Sequence, residues 1–255
     1  MLKIKIGNIE FCSPVIASSG TFGYGDEVKS FVDISKLGGI VTKSITSEPR
    51  LGNSNPRILE SESGMLNAIG LANIGVNEFC DKKIPLINSL NTNIIVSVAG
   101  STIEDYVNVV KEIENTNGNH IGYEINISCP NTKKGGVEFG KDSDMTLKLT
   151  KSIRSLTNKL LIIKLSPNVT SIENIALAAE KGGADAISAI NTIVGMAIDI
   201  NTQKYKLSNK YGGLSGPAIR PIAIANVHKI FNVVSIPVIG IGGVRNSDDV
   251  IEFML

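Results

Sequence analysis

The stretch that decides the fold is LLIIKLSPNVTSIENIALAAEKGGADAISAIN, residues 160–191. Two short apolar runs, LLIIKLSP and DAISAIN, flank an amphipathic segment of helical character. Ser171 is suited to begin that helix as its N-cap, and Gly182-Gly183 is suited to end it. Ser101 and Ser247 are predicted to cap two other helices in the same way. A strand, a helix and a second strand in this order predict two parallel strands joined by a helical crossover.

The same alternation runs through the whole chain, after a predicted hairpin in KIKIGNIEF. A doubly wound sheet is one possible arrangement, but seven strands and a chain that stops inside a helix favour a TIM (β/α)₈ barrel. Its eighth strand–helix unit is missing from the sequence. We therefore predict one α/β barrel domain over residues 1–255, with an N-terminal β-hairpin. The seven predicted strands lie in PVIASSG, GGIVTKSI, NIIVSVAG, GYEINISC, LLIIKLSP, DAISAIN and IPVIGIGG.

Composition narrows the class of protein. The 255 residues are 42% hydrophobic and 19% charged, with a net charge of +1, which gives no electrostatic reason to expect a nucleic acid or a membrane surface as partner. No apolar run approaches the ~20 residues of a membrane span, and the N-terminus does not resemble a signal peptide. Three widely spaced cysteines predict reduced thiols in the cytoplasm, and the Cys and His residues lack metal-site spacing, so we expect no metal.

Polar residues occur at the inward positions of the strand EINISC. If Ile125 and Ile127 point to the surrounding helices, then Glu124, Asn126 and Ser128 point into the barrel. Active-site residues of this fold lie at the carboxyl ends of the strands. The strand therefore delivers polar side chains to the expected site.

Lys164 is the most informative inward residue, and Ser166 shares its face. A buried ammonium group must be paired or must serve a ligand, because an isolated buried charge is costly. Glu124 on the neighbouring strand is a candidate partner, and an anionic cofactor or substrate is the functional alternative. Lys43, in VTKSIT, repeats the pattern, although a strand-end lysine that reaches solvent explains it equally well.

The glycines of VIGIGG predict an anion site at the end of the last strand. In this interpretation Ile239 and Ile241 point outward, and Gly240 and Gly242 point inward. Glycine lets backbone N–H groups approach a phosphate, and a helix beginning at Ser247 adds partial positive charge. An ordinary Gly-Gly turn is the alternative. The long segment 191–217 is predicted to cover part of the site.

Cys129 follows its strand directly and precedes Pro130. Most single cysteines are buried apolar residues, but a thiol at the mouth of a strand above a cofactor site suits a general base or nucleophile. A free thiol has a pKa of about 8.5, so the site need lower it only modestly. Cys12 and Cys80 have no such setting and are predicted to be structural.

Several motifs together resemble class 1B dihydroorotate dehydrogenases, the catalytic FMN subunits, over the whole chain. They are SGMLNAIGLANIG, NISCPNTKKGG, KLSPNV, INT, GGLSGPAI and IGIGG. The resemblance implies a barrel with FMN at the carboxyl ends of the strands. It also implies oxidation of dihydroorotate to orotate in de novo pyrimidine (UMP) biosynthesis, with Cys129 removing the C5 proton while hydride passes from C6 to flavin N5.

The resemblance also assigns binding residues. Ser97 stands where the family usually has an asparagine, and the family continues into an eighth strand beyond the position of Leu255. Substrate would contact Lys43, Asn67, Ala68, Ile69, Gly70, Leu71, Asn126, Asn191 and Thr192. FMN would contact Ser19, Lys43, Ser44, Ser97, Asn126, Lys164, Ile190, Gly216, Gly242 and Gly243.

Type B enzymes pass electrons to NAD through a second subunit. The resemblance therefore implies an electron-transfer partner carrying FAD and a 2Fe-2S cluster, with a homodimer of this chain inside a heterotetramer. Two alternatives stay open. One is a related FMN barrel enzyme acting on uracil or on tRNA dihydrouridine, and the other is an inactive fragment.

Overall fold

The computed structural model describes residues 2–128 and 139–255. Seven of its strands correspond to the seven predicted from the sequence, and the opening hairpin is also present. The strands are β1 Ile4–Ile6, β2 Ile9–Phe11, β3 Ile16–Ala17, β4 Gly39–Val41, β5 Ile58–Ser61, β6 Gly64–Asn67, β7 Asn93–Val98, β8 Gly122–Asn126, β9 Leu160–Leu165, β10 Ala186–Ala189, β11 Ile193–Gly195, β12 Ile198–Asp199, β13 Lys204–Tyr205, β14 Gly212–Ser215 and β15 Val238–Gly240.

The main sheet has the order β15-β10-β9-β8-β7-β4-β3, and all neighbouring pairs in it are parallel. Strands that follow one another along the chain are thus neighbours in space, as helical crossovers require. The sheet curls but does not close, since β15 and β3 are not paired in the described part of the chain. The predicted TIM-type barrel lacking one strand–helix unit is confirmed.

Helices connect the strands, and several of them are each capped by a short polar side chain, at Thr102, Asp142, Ser171 and Asn246. Ser171 caps its helix as predicted, whereas Thr102 and Asn246 are each one residue away from the predicted Ser101 and Ser247. No described helix is both long and apolar enough to cross a membrane. The α-helices are α1 Gly75–Glu78, α2 Ile84–Ile87, α3 Ile103–Glu114, α4 Ser143–Arg154, α5 Ile172–Lys181, α6 Arg220–Phe231 and α7 Ser247–Met254, with a π-turn over Phe79–Lys83 and 3₁₀ turns over Ile34–Lys36, Phe139–Lys141 and Pro217–Ile219.

Alternate residues of the sheet build two apolar layers. Ile125 and Ile163 belong to the larger layer, which packs between the sheet and the helices. Val41, Ile95 and Ile162 belong to the inner layer. The period of two along each strand therefore separates the helix-facing side chains from those inside the barrel, as predicted for β8 and β9.

The N-terminal hairpin closes the lower end of the barrel. Its strands β1 and β2 pair in antiparallel register, and Ile6 and Phe11 pack against the inner layer at Leu160 and Ile162. Phe11 is completely buried. The hairpin thus covers the amino ends of the strands and leaves the carboxyl ends for a ligand.

Strand β15 has the opposite phase to the prediction. Ile239 packs against the inner layer, and a Cβ atom on Gly240 would collide with Phe253 of α7. A Cβ atom on Gly242 would come within 2.7 Å of Ala223 on α6. The prediction failed because VIGIGG has no polar residue to mark the inward face, so both phases bury only apolar side chains and glycine.

The segment predicted to cover the site forms a second, smaller sheet. Its order is β11-β14-β6-β5, all antiparallel, and β12 and β13 form a separate two-stranded ribbon beside it. Leu66, Ala68 and Leu207 make a small apolar cluster beneath it. The small sheet carries residues 64–67 and 212–215 to the edge of the barrel mouth.

Candidate active site at the carboxyl ends of the strands

A cavity of about 1300 Å³ occupies the carboxyl end of the barrel and continues down its interior, where β15 and β3 are not joined. Polar side chains and glycines from separate loops line its upper part. The lining includes, from the predicted site residues, Ser19, Lys43, Ser44, Asn67, Ala68, Ile69, Gly70, Leu71, Asn126, Lys164, Ile190, Asn191, Thr192, Gly216, Gly242 and Gly243.

Cys129 lies outside the described residues, so its predicted role stays a prediction. The residues that precede it, Asn126 and Ser128, do line the cavity. The other cysteines do not. Cys12 donates a hydrogen bond from Sγ to the Leu37 carbonyl at 3.2 Å, and burial raises the pKa of the Cys80 thiol to about 11, which suits a structural role for both.

Lys164 is paired with Glu124, and both line the cavity. The Lys164 Nζ atom lies 3.6 Å from Glu124 Oε1, and each residue is almost fully buried. Ser188 on β10 donates a hydrogen bond to Glu124 Oε2 at 2.9 Å. The candidate carboxylate partner and the cavity-facing ammonium are therefore both present, in one buried cluster.

A chain of amides crosses the mouth from β8 to the loop after β10. Asn191 donates from Nδ2 to Asn126 Oδ1 at 3.3 Å, and Asn191 Oδ1 accepts from the backbone N–H of Thr192. Asn168 donates to the Thr192 carbonyl at 2.9 Å. These bonds orient amide groups that can read the alternating donors and acceptors of a planar polar ring.

Lys43 differs from Lys164 in having no salt bridge among residues 2–128 and 139–255. Burial lowers the pKa of Lys43, and the positive charge of Arg57 lowers it further. Such a cation is available to an anionic group entering the cavity.

The loop after β6 holds its backbone in an unusual conformation. Gly70 and Leu71 both have positive φ, at 75° and 56°, and a Cβ atom on Gly70 would lie 2.8 Å from Asn53. Asn53 donates to the Ala68 carbonyl at 2.8 Å. A side chain at position 70 would strain the turn, so glycine there keeps residues 67–71 against the cavity.

Three glycines form a corner free of side chains at the other side of the mouth. Gly216, Gly242 and Gly243 all have positive φ, and a Cβ atom on Gly243 would lie 2.7 Å from the Gly216 carbonyl. Asp249 of α7 accepts a hydrogen bond from the Arg245 backbone N–H at 2.8 Å and pairs with Arg220. These contacts fix the turn that follows the glycines. The corner suits a phosphate group, because backbone atoms can approach it directly.

Ser97 does not line the cavity in the described structure. Its side chain is completely buried and hydrogen-bonds with Ser44, Oγ to Oγ, at 2.8 Å. Ser44 does line the cavity. A contribution of Ser97 to cofactor binding stays a prediction. In this geometry Ser97 would act indirectly, by orienting the Ser44 hydroxyl.

Further polar residues line the cavity without having been predicted as site residues. Arg50 and Asn53 belong to the loop-rich stretch before β5, where no periodic pattern marks an inward face. Asn168 lies in KLSPNV, two residues after the inward Ser166, and its position in that motif is the signal that would have identified it. Glu124 was predicted from strand phase to point inward and was named only as a candidate partner for Lys164, not as a site residue.

Fold and cavity together define an α/β-barrel enzyme that binds a large polar ligand at the carboxyl ends of its strands. The family model named Dihydroorotate dehydrogenase matches residues 1–255. The chain therefore belongs to the dihydroorotate dehydrogenase family and is an oxidoreductase, and this family membership implies a flavin.

Curated relatives agree with this assignment. A protein from Alkaliphilus metalliredigens is 49% identical over 254 residues, covering 100% of this chain and 83% of that protein. Proteins from Bacteroides thetaiotaomicron and Bacillus pumilus are 48% and 47% identical, with 100% of this chain and 84% and 82% of those proteins covered. All three carry the name dihydroorotate dehydrogenase B (NAD(+)), catalytic subunit.

The residues present fit a flavin mononucleotide. The three glycines line the cavity without side chains, so a phosphate can approach their backbone, and their close packing against neighbouring residues leaves no space for added Cβ atoms. Glu124 Oε1 is a buried oxygen without a hydrogen-bond partner among the described residues, and Lys164 beside it supplies a positive charge at the cavity wall. No group of His, Cys, Asp or Glu in residues 2–128 and 139–255 has the geometry of a metal site.

Proposed function

We propose that this chain binds FMN and oxidises dihydroorotate to orotate in de novo pyrimidine (UMP) biosynthesis. The observation that carries the proposal is the convergence on one cavity of a buried lysine, a chain of amides and a glycine corner from distant parts of the sequence. Lys43, a second cation at the cavity and one without a salt bridge among the described residues, supplies charge for the substrate carboxylate. We also propose that residues 1–255 form one domain, since the hairpin packs into the barrel core.

Residues of this chain orient the substrate and remove its proton in the proposed reaction. Lys43 and the amides of Asn67, Asn126 and Asn191 hold the pyrimidine ring in one orientation, which places its reacting atoms in position for the reaction. Cys129 removes the proton from C5. A bound flavin would supply the acceptor for the hydride that leaves C6.

Lys164 and the glycine corner belong to the cofactor half of the site. The ammonium group stabilises negative charge that develops on the reduced flavin, as preorganised charges do in other active sites. The backbone of Gly216, Gly242 and Gly243 receives the FMN phosphate. Ser19, Ser44 and Ile190 complete the contacts that we propose for the cofactor.

Electrons then leave through a partner. The relatives are named catalytic subunits of NAD(+)-type enzymes, which supports a separate electron-transfer subunit for this chain. We propose that this partner carries FAD and a 2Fe-2S cluster, passes electrons to NAD and joins a homodimer of this chain in a heterotetramer. The widely spaced cysteines of the sequence support a cytoplasmic enzyme.

Anaerobic flavin reduction tests the function. The purified chain is reconstituted with FMN and mixed with dihydroorotate, dihydrouracil or a dihydrouridine-containing tRNA, and the loss of flavin absorbance is followed. We expect fast bleaching with dihydroorotate alone. A protein that binds no FMN would contradict the proposal, and bleaching by dihydrouracil or tRNA in place of dihydroorotate would support the related barrel enzymes.

A further inference from the structure

Glu124 has a carboxylate that is only partly satisfied. Glu124 is 1% exposed and lies on β8 at the inner wall of the cavity. Oε2 accepts a hydrogen bond from Ser188, whereas Oε1 has no hydrogen-bond partner among residues 2–128 and 139–255. A buried oxygen without a partner is costly, so its retention calls for a reason beyond packing.

The nearest charge to this oxygen is the ammonium group of Lys164. Lys164 on β9 lies between the other two residues, since Ser188 is its register neighbour on β10 and Glu124 lies on β8. The separation of 3.6 Å from Nζ to Oε1 is an ion pair but is longer than a charge-assisted hydrogen bond, which is about 2.7–2.9 Å. Both groups therefore keep bonding capacity while each holds the other in place.

We propose that Glu124 is a positioning residue that orients the Lys164 ammonium group and sets the net charge that a bound flavin meets. This inference rests on the proposed function, because it requires a flavin beside Lys164. With both groups charged the pair is neutral, and without the carboxylate it carries a full positive charge. At a buried site such a difference acts strongly, because the effective dielectric constant is far below that of water.

The sign of the effect follows from the charge of the flavin. A reduced flavin carries more negative charge than an oxidised one, so an added positive field stabilises the reduced form. Removing the charge of Glu124 should therefore raise the midpoint potential of the bound FMN. Glutamine has nearly the same shape as glutamate and retains an oxygen that can accept from Ser188, so Glu124→Gln changes charge with little change in packing.

The experiment measures the FMN midpoint potential by equilibrium titration against a reference dye. The flavin-free melting temperature and the FMN Kd are measured alongside it. We expect Glu124→Gln to shift the reduced-to-oxidised ratio at least tenfold toward the reduced form, which is about 30 mV for a two-electron couple. Glu124→Asp keeps the charge and should shift the ratio less than the glutamine variant.

Glu114→Gln is the matched control. Glu114 pairs with Lys159 at 2.9 Å, just before the amino end of the same strand β9, and neither residue lines the large cavity. Like Glu124→Gln, Glu114→Gln removes the negative charge of a carboxylate that is paired with a lysine, and Glu114 is partly buried. The control variant should lower the stability of the flavin-free protein and leave the midpoint potential unchanged.

An unchanged potential in an FMN-bound Glu124→Gln protein would overturn this inference alone, as would an equal shift in Glu114→Gln. Wild-type protein that binds no FMN would overturn the proposed function together with the inference. If Glu124→Gln does not fold, Ser188→Ala replaces it. Without that hydrogen bond the carboxylate is held less firmly beside Lys164, whose positive charge is then less compensated, so the potential should again rise, and a wild-type value would count against the inference.

Discussion

His120 belongs to a buried polar network that has no part in the cavity. His120 is 3% exposed, and its Nε2 lies 2.8 Å from the Tyr123 hydroxyl. That hydroxyl in turn donates to Glu114 at 2.6 Å. Burial, helped by the positive charge of Lys159 and opposed by Glu114, lowers the pKa of His120 to about 4. The folded protein therefore keeps this histidine neutral near pH 6.

This arrangement predicts loss of stability in mild acid. Between about pH 6.5 and pH 4 the unfolded chain protonates His120 and the folded chain does not, so lowering the pH across this window favours unfolding. The full effect is on the order of 3 kcal/mol. Urea unfolding at a series of pH values should show that the free energy of unfolding falls less steeply with decreasing pH in His120→Gln than in wild type. Equal slopes would contradict the prediction.

Cys129 is the residue on which the proposed chemistry depends. Cys129→Ser should slow flavin reduction by dihydroorotate at least a hundredfold at neutral pH, because a serine hydroxyl is a far weaker acid than a thiol, and general-base catalysis contributes about 10²–10⁴ in rate. Single-turnover bleaching measures the rate, and FMN fluorescence checks that cofactor binding is retained. Cys80→Ser is the control and should react at the wild-type rate. A wild-type rate in Cys129→Ser would refute the assignment.

The end of β15 and the beginning of α7 form one element of the cofactor site that we propose. Asn246 caps α7 by accepting from the Asp249 backbone N–H, while the Asp249 carboxylate accepts from the Arg245 backbone N–H. Asp249 is 4% exposed and is also paired with Arg220. The carboxylate thus ties the helix to the turn that follows Gly242 and Gly243.

Asp249→Ala should therefore weaken phosphate recognition. We expect the affinity for FMN to fall about tenfold or more and the affinity for riboflavin, which lacks the phosphate, to change little, because only the glycine turn loosens. Fluorescence titration with both flavins measures the two affinities. Asp105→Ala is the control, since Asp105 accepts from backbone N–H groups at the start of α3 in a similar way, but far along the chain from the glycine corner. Equal losses for FMN and riboflavin would count against a phosphate site.

Strand phase was predictable only where polar residues marked one face. In β8 and β9, Glu124, Asn126 and Lys164 break otherwise apolar runs, and the structure confirms that they point inward. In β15 no such residue exists, and the predicted phase was wrong because the close approach of Phe253 selects Gly240 as the outward position. Helix caps were missed by one residue where Thr102 and Asn246, also good caps, adjoined the predicted serines.

We expect folding of the molecule as a whole to be coupled to cofactor binding. Its core is formed by an open sheet, and the cavity is assembled from loops that are distant in sequence. A ligand that binds only this assembled state must stabilise it. FMN at a hundred times its Kd contributes about 2.7 kcal/mol of stability.

For a chain of this size that stabilisation corresponds to a rise of roughly 5 °C or more in melting temperature. Thermal unfolding over a series of FMN concentrations measures the shift, with AMP as a control that supplies a phosphate without a flavin ring. The rise should grow with FMN concentration and be absent with AMP. A melting temperature independent of FMN would show that the folded chain has no flavin site.

The sequence by itself determined the order of strands and helices, because local periodicity and caps act over a few residues. It also placed Lys164 and Asn126 on the inner face, since one polar residue in an apolar strand has only one favourable orientation. Only the tertiary structure decided that Ser188 donates to the Glu124 carboxylate, that Ser97 lies behind Ser44, and that β14 pairs with β6 in a second sheet. Those contacts join residues 53 to 150 positions apart, and no local pattern encodes such pairings.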